Sequence, residues 1–426
     1  MRVRVPGDKS LTQRALIFAA LADGTSRLSG LLHGGDAEST ASALRALGVG
    51  IPHLPEDGGV MEVVGVGLRG LRTPQQVLDL GNSGTGTRLL TGVLAGSGLE
   101  AVITGDDSLR SRPMRRVTEP LEAMGARFEA LEGEDRLPLK VCASHPVRSV
   151  DWSSRVASAQ VKSAILLAGL TGGCWVQITE PRQSRDHTER MLGHFGIPLI
   201  EHAVEGGWRV ELRDVPQRIA PFTFEVPGDP SSAAFLAALA ALDTTGRPLT
   251  IERAGLNPTR TAFFDVLARM GAEVTMDPDP SENGEPVGSI TVKGQGLRGT
   301  EVTADEVPAM IDELTLIALL GARAEGVTTI RGARELRTKE SDRIDAVARG
   351  LEALGVEIEE FDDGLSVTGT DQPFQGRVRT HHDHRIAMGF GVLGATTSGV
   401  IDIDHPESAS VSFPGFWSTL QKCAAR

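Results

Sequence analysis

One short loop occurs twice, half a chain apart. Val5-Pro6-Gly7-Asp8-Lys9-Ser10 returns as Val226-Pro227-Gly228-Asp229-Pro230-Ser231, 221 positions later in a chain of 426 residues. Each copy runs into a stretch that is apolar on nearly every side, residues 11–20 and 233–242. A helix with no polar face has to be buried. Gly7 permits the sharp turn, and Asp8 or Ser10 can cap the helix behind it. The first of these helices carries its cations, Lys9 and Arg14, only at the amino end. A buried helix start with free N–H groups, a positive dipole end and fixed cations suits an anion. Recurrence at half the chain length restricts the fold to a duplicated architecture.

Four more helices repeat the plan, polar at the start and apolar afterwards. They begin at Gly81-Asn82-Ser83-Gly84-Thr85-Gly86-Thr87-Arg88, at Ser158-Ala159-Gln160-Val161-Lys162, at Asp312-Glu313 and at His381-His382-Asp383-His384-Arg385. With the two loop helices, the starts recur about every 70–80 residues. Each repeat is read as carrying a second helix that stops at a glycine and leads into a strand, as at Gly48, Gly125, Gly196, Gly271 and Gly355. Alternating stretches such as 208–212 and 288–292 read as strands. The expectation is an α/β fold of six βαβαββ-type units, three per domain, each domain built on parallel buried helices. The strand over 2–5 and its counterpart over 222–226 place two crossovers at the Pro-Gly loops. One domain is then residues 1–7 with 228–426, and the other is residues 8–227. Helix starts aimed at a shared cleft would gather the polar residues of both domains, and the domains are expected to close on a bound substrate.

The net charge is −13, so an anionic ligand has to be held by a local cation cluster against the overall field. A surface for nucleic acid is not expected. Cys142, Cys174 and Cys423 fit no zinc or redox spacing and read as reduced thiols of a cytoplasmic protein. No run is long enough to span a membrane. A monomer is expected.

The cations at helix starts are Lys9, Arg14, Arg88, Arg112, Lys162, Arg185, Lys339, Arg343 and Arg385. Arginine forks suit carboxylates and phosphates. Residues 81–86 read either as a phosphate-cradling loop or as a plain tight turn; they match neither the dinucleotide nor the Walker spacing. His381-His382-Asp383-His384 has no neighbouring carboxylate or cysteine set to make it a metal centre. Asp312-Glu313 and Lys339-Glu340 set acids beside cations, as proton transfer at a polyanionic substrate requires. A helix-cap acid and a surface ion pair would look the same.

Together, Gly7-Asp8-Lys9-Ser10 with Arg14, Gly81-Asn82 with Gly84-Thr85 and Arg88, Arg112-Pro113, Ser158-Ala159-Gln160, Asp312, Lys339-Glu340-Ser341-Asp342-Arg343 and Asp383-His384-Arg385-Ile386-Ala387-Met388 resemble the 5-enolpyruvylshikimate-3-phosphate synthase family. The resemblance runs from Pro6 to Pro414. It implies two inverted α/β domains joined by a double crossover, the enolpyruvyl transferase fold. It implies transfer of the enolpyruvyl group of phosphoenolpyruvate to the 5-hydroxyl of shikimate 3-phosphate, with loss of phosphate and with no metal or organic cofactor. It assigns Ser10, Arg14, Ser158, Gln160, Asp312 and Lys339 to shikimate 3-phosphate. Lys9, Gly84, Arg112, Gln160, Arg343 and Arg385 go to phosphoenolpyruvate, with Lys9 touching both. Asp312 would take the proton from the 5-hydroxyl, and Glu340 with Lys9 would protonate the methylene carbon.

The chain departs from many members at Ala159, Glu335 and Val411, where serine, asparagine and lysine are common. Arg185, within Arg185-Asp186-His187-Thr188-Glu189, is expected to replace part of the missing charge. With Asn257-Pro258-Thr259-Arg260 these features resemble the class II subgroup. Three competing readings are weaker. The UDP-N-acetylglucosamine enolpyruvyl transferases usually have a cysteine in the loop matching residues 106–113, and this chain has none there. A non-catalytic anion-binding paralogue would not need Lys9, Asp312 and Glu340 together. RNA 3′-phosphate cyclase shares the repeat but calls for a basic tract.

Overall fold

The structure is a computed structural model, and it describes residues 1–143, 147–280 and 284–425. The chain divides into two compact units. Among the described residues one unit holds 1–6, 227–280 and 286–425, and the other holds 7–226 with 284–285. The divisions therefore fall at Pro6/Gly7 and Val226/Pro227, inside the two repeated loops. The short return of 284–285 is not legible in the repeat pattern.

Both units are α/β and use one local plan. In the unit spanning 7–226, strand Leu78–Asp79 leads into a buried helix and then into Ala101–Thr104, parallel to the first strand. A second helix, Arg115–Ala123, is followed by an antiparallel hairpin, Arg127–Ala130 with Leu139–Cys142, whose second strand joins the sheet beside Ala101–Thr104. The same order returns over 150–212, and in the other unit around strands Leu249–Gly255 and Val327–Ile330. Two repeats are abbreviated. The first ends its sheet at Met61–Val66, and the sixth keeps only the parallel pair Gly376–Val378 and Ile401–Ile403, followed by a terminal helix, Phe416–Ala424.

The end strands are exchanged along the chain. Arg2–Val3 pairs in parallel with Thr250–Ile251, so the opening strand serves the unit that begins again at 227. Thr223–Glu225 pairs in parallel with Arg27–Ser29, so the last strand of the first half completes the sheet of the first repeat. The chain crosses twice because a sheet of this plan needs a strand before its buried helix, and the repeat's own strand has gone to the other unit.

Six buried helices carry the polar starts: α1 (Lys9–Leu21), α2 (Gly84–Ser97), α3 (Ala159–Gly172), α4 (Pro230–Leu242), α5 (Leu314–Gly321) and α6 (His384–Ala395). In α4 every residue from Pro230 to Ala241 is buried. Each is capped by a polar residue or stands directly behind one. Asp8 accepts from Leu11 N at 2.8 Å, Ser83 from Gly86 N at 3.0 Å, Asp229 from Ser231 N at 2.8 Å and Asp383 from Arg385 N at 2.9 Å. The second helices stop on left-handed glycines at Gly48, Gly125, Gly196, Gly271 and Gly355.

Helices this apolar approach closely only where side chains are small. At Gly92 of α2 a Cβ would fall on the carbonyl oxygen and Cα of Ala164 in α3. The obstacle is helix backbone, which cannot rotate away. Gly92→Val is therefore expected to destabilise the protein by about 1–3 kcal/mol or more, the usual range for overpacking. Urea denaturation of parent and variant checks this, and an unchanged midpoint would refute the close packing of α2 on α3.

Candidate active site

In the unit spanning 7–226, α1 delivers Ser10 and Arg14. Arg14 is buried, and its guanidinium is held by hydroxyls. Nε donates to Thr188 Oγ1 at 2.8 Å, one terminal nitrogen to Ser163 Oγ at 3.0 Å and the other to Ser10 Oγ at 2.5 Å. Burial pulls its pKa down to about 10, Glu189, Asp8 and Glu285 act against that, and the nearby charge of Arg185 adds to the lowering. Two guanidiniums thus share one neighbourhood, and the ligands on Arg14 are neutral. Guanidinium forks of this kind suit carboxylate and phosphate groups.

Lys9 Nζ lies 3.0 Å from Asp36, an acid in the first turn of the helix Gly35–Ala46. The resemblance does not point to Asp36; its sequence signal is only an acid behind the glycine pair Gly34-Gly35. On α2, the turn at 81–83 is real, and Ser83 also accepts from Gln13 Nε2 at 2.7 Å. Asn82 Oδ1 accepts from Arg112 at 2.7 Å, and Ser108 Oγ accepts from the same nitrogen at 3.1 Å. Gln160, at the start of α3, accepts from Arg88 at 2.7 Å and donates to Thr85 at 2.9 Å. Ser158 precedes α3 and makes no cap hydrogen bond through its side chain. A Cβ on Gly84 would stand 2.9 Å from the Arg88 guanidinium and 3.2 Å from that of Arg112. The glycine therefore makes room for two arginine ends.

Lys162 is different. It is fully buried, 2.8 Å from Glu180 and 2.6 Å from Glu189. Burial works against its charge, but Glu189 and Glu180 outweigh burial and raise its pKa. Glu189 is pushed up, chiefly by burial and also by the nearby charge of Asp186, although Lys162 acts the other way. Among the cations at helix starts, Lys162 is thus a structural charge. The four residues after Arg185 in its motif each have a structural partner. Asp186 pairs with Arg190 at 2.8 Å, His187 shares a hydrogen with Glu285 at 2.7 Å, Thr188 holds Arg14 and Glu189 holds Lys162.

In the unit spanning 227–425, α5 and α6 bring Asp312, Glu313 and Arg385 together. Asp312 lies among three cations, 3.5 Å from Arg343 and 3.9 Å from both Lys339 and Arg385. Arg343 is buried between Asp383 at 2.8 Å and Glu340 at 2.6 Å. Burial opposes both charges of the Arg343–Asp383 pair; the pairing outweighs it, raising the arginine and lowering the aspartate. Lys339 is also 3.6 Å from Glu335. Arg385 donates to the Asp312 carbonyl at 3.2 Å and meets Glu313 Oε1 at 3.5 Å. Glu313 in turn accepts from Ser231 of the second Pro-Gly loop, and Ser231 accepts from Arg260 at 2.8 Å. Asp383, Glu313, Ser231 and Arg260 therefore brace the residues that the sequence picks out, through contacts that only the packed repeats create.

A family model described as EPSP synthase (3-phosphoshikimate 1-carboxyvinyltransferase) matches residues 1–420. The chain belongs to the EPSP synthase family. Curated relatives named 3-phosphoshikimate 1-carboxyvinyltransferase include one from Halorhodospira halophila, 46% identical over 98% of this chain and 92% of its own. Another, from Granulibacter bethesdensis, is 47% identical over 97% and 91%. Among solved structures, an EPSP synthase from Acinetobacter baumannii superimposes with a TM-score of 0.85 at 39% identity, covering 100% of this chain and 95% of that one. The enolpyruvyl transferase NikO from Streptomyces tendae, at 20% identity and a TM-score of 0.75, shares the fold. Membership in the EPSP synthase family accounts for the repeat architecture of two α/β units.

Lys162→Met is expected to cost about 3–5 kcal/mol, because two buried carboxylates lose their cation. Their pKa values then rise in the folded state, so the variant regains stability as pH falls toward the ordinary glutamate value of 4.5 and loses it as pH rises. Urea melts across that range test the sign; a deficit that grows toward low pH would contradict it.

Proposed function

We propose that the two residue sets serve one reaction, transfer of the enolpyruvyl group of phosphoenolpyruvate to the 5-hydroxyl of shikimate 3-phosphate with release of phosphate. Family membership over residues 1–420 carries the reading. Ser10, Arg14, Ser158, Gln160 and Arg185 supply the hydroxyl, amide and guanidinium donors for shikimate 3-phosphate, with Asp312 and Lys339. Lys9, Gly84, Arg112, Arg343 and Arg385 serve phosphoenolpyruvate, with Gln160 common to both. Asp312 acts as base toward the 5-hydroxyl. Three cations, Arg343, Lys339 and Arg385, lie 3.5–3.9 Å from its carboxyl oxygens. Glu340, held by Arg343, delivers the proton to the methylene carbon with Lys9. Cations at both reacting groups stabilise the charge that moves as phosphate leaves. The chemistry balances with these groups alone. No helix among the described residues is long and apolar enough to cross a membrane, and we place the enzyme in the cytoplasm as a monomer.

The test is phosphate release from phosphoenolpyruvate with shikimate 3-phosphate as acceptor, beside UDP-N-acetylglucosamine. The sugar nucleotide should be inert, and turnover with it instead would overturn the assignment. In the same assay Asp312→Asn should lose roughly 10²–10⁴-fold in kcat, the worth of a general base. Calorimetric affinity for shikimate 3-phosphate should change far less, since asparagine keeps the size and a hydrogen bond. Turnover near the parent's would exclude Asp312 as the base.

Glyphosate competes with phosphoenolpyruvate in this family, and inhibition is expected here. Gly84→Ala would press its methyl group on the Arg88 and Arg112 ends. A cost of about 1–3 kcal/mol fits one added methyl group in a filled site. The longer inhibitor has less room to shift than phosphoenolpyruvate, so the ratio of its inhibition constant to the phosphoenolpyruvate KM should rise. Parallel inhibition and saturation curves decide, and a constant ratio would sink the steric explanation.

A further inference from the structure

The run His381-His382-Asp383-His384 is divided by the fold. Asp383 and His384 are buried at the start of α6, where Asp383 binds Arg343. His381 and His382 are exposed, with left-handed backbones at φ 53° and 59°. His405, in the turn after strand Ile401–Ile403, is also left-handed at φ 47°. Backbones of this kind are uncommon outside glycine and concentrate where surrounding structure fixes them for a purpose.

The fixing is visible. Thr380 N and Oγ1 donate to Asp404 Oδ1 at 2.6 and 2.7 Å, tying the two turns together. Trp417 Nε1 donates to the carbonyl of Pro406 at 2.8 Å, and Ser410 Oγ donates to that of Glu407 at 2.7 Å. On this frame the rings of His382 and His405 stack with centroids 3.7 Å apart, and Glu407 Oε1 lies 3.2 Å from His405 Nδ1. One ligand atom from each of His382, His405 and Glu407 falls within 4.8 Å of the other two. The carboxylate partner that the run lacks in sequence therefore arrives from 25 residues further on, with a second imidazole.

We propose that His382, His405 and Glu407 form a surface site for a divalent transition-metal ion of the zinc type, with the remaining positions taken by water. Two imidazoles and one carboxylate suit zinc, nickel or copper, whereas magnesium and calcium take oxygen donors. A tetrahedral ion with bonds of about 2.0–2.1 Å needs ligand atoms about 3.3 Å apart. The three side chains are exposed, so they reach that spacing by turning about their own bonds while the tied turns stay in place. The stacked rings separate as they turn toward the ion. None of the three belongs to the residues proposed for the reaction, so the ion's role is to clamp the turn before α6 to the turn at 404–407. Binding to the folded chain alone raises its apparent stability by mass action.

The experiment titrates the full chain at neutral pH with Zn²⁺ by calorimetry and with Co²⁺ by visible absorption. Parent protein is compared with His382→Ala, His405→Ala and Glu407→Gln. The expected result is one ion per chain and a tetrahedral Co²⁺ spectrum in the parent. Each histidine variant should lose more affinity than the 10–100-fold that an outer-shell partner is worth. Glu407→Gln, which keeps the size of the side chain, should also weaken binding if either histidine variant fails to fold. Turnover without added metal should be the same in all four proteins. Equal affinity in parent and variants would mean adventitious binding elsewhere and would overturn the site, as would absence of a specific stoichiometric event in the parent.

Discussion

Arg14 and Arg343 are both buried arginines at the edge of a helix start, and they are held in opposite ways. Arg14 gives its hydrogens to the hydroxyls of Thr188, Ser163 and Ser10. Arg343 gives its own to Asp383 and Glu340 and lies close to Asp312. Hydroxyls satisfy a donor without cancelling its charge; carboxylates do both. Burial therefore prevails at Arg14, whose pKa falls, and pairing prevails at Arg343, whose pKa rises. A guanidinium left uncompensated in a preorganised, poorly solvated place attracts an anion more strongly than one on the open surface. Three hydrogen bonds to neutral hydroxyls offset part of the desolvation cost of Arg14.

The acids of the other unit follow from the same constraint. Asp383 caps α6, pairs with Arg343 and accepts from Ser341, so one buried side chain joins a helix end to the segment that carries Glu340. Glu313 performs the parallel task for Arg385. Arg260, Ser231 and Glu313 form a chain of contacts from the Asn257-Pro258-Thr259-Arg260 turn, through the second Pro-Gly loop, to α6. A repeat architecture makes such chains natural. Helix starts from successive repeats lie side by side, and the polar residue at one start is the available partner for the next.

That is also the boundary of what the sequence discloses. The absence of a polar face on residues 11–20 and 233–242 and the glycines at 48, 125, 196, 271 and 355 are local signals, and the helices and their ends follow from them. The exchanged strands are legible because the two Pro-Gly loops coincide at half the chain length. The abbreviated first and sixth repeats are not, since a missing hairpin leaves only irregular loop residues. Within the site, residue types at helix starts are visible but their partners are not. Nothing near Lys162 in sequence distinguishes it from Lys9; Glu180 and Glu189, 18 and 27 positions on, make the former structural. Nothing near His382 announces Glu407. Pairings across tens to hundreds of residues depend on which repeat start is adjacent, and that is decided by packing.

The division of charge between the units has a chemical consequence. Around α1, α2 and α3 the cations Arg14, Arg88 and Arg112 are held mainly by hydroxyls, amides and carbonyls; Lys9 has a carboxylate, Asp36, within reach. Around α5 and α6 every cation of the site, Lys339, Arg343 and Arg385, stands within 4.0 Å of Asp312, and each also has at least one further acid. The first set offers cationic forks whose partners are mostly neutral, an arrangement suited to anions. The second set interleaves acids and cations, the pairing that proton transfer at an anionic substrate requires. An addition–elimination reaction between two phosphorylated substrates needs both capacities. A duplicated fold provides them by placing different side chains at equivalent helix starts, each followed by a buried apolar helix.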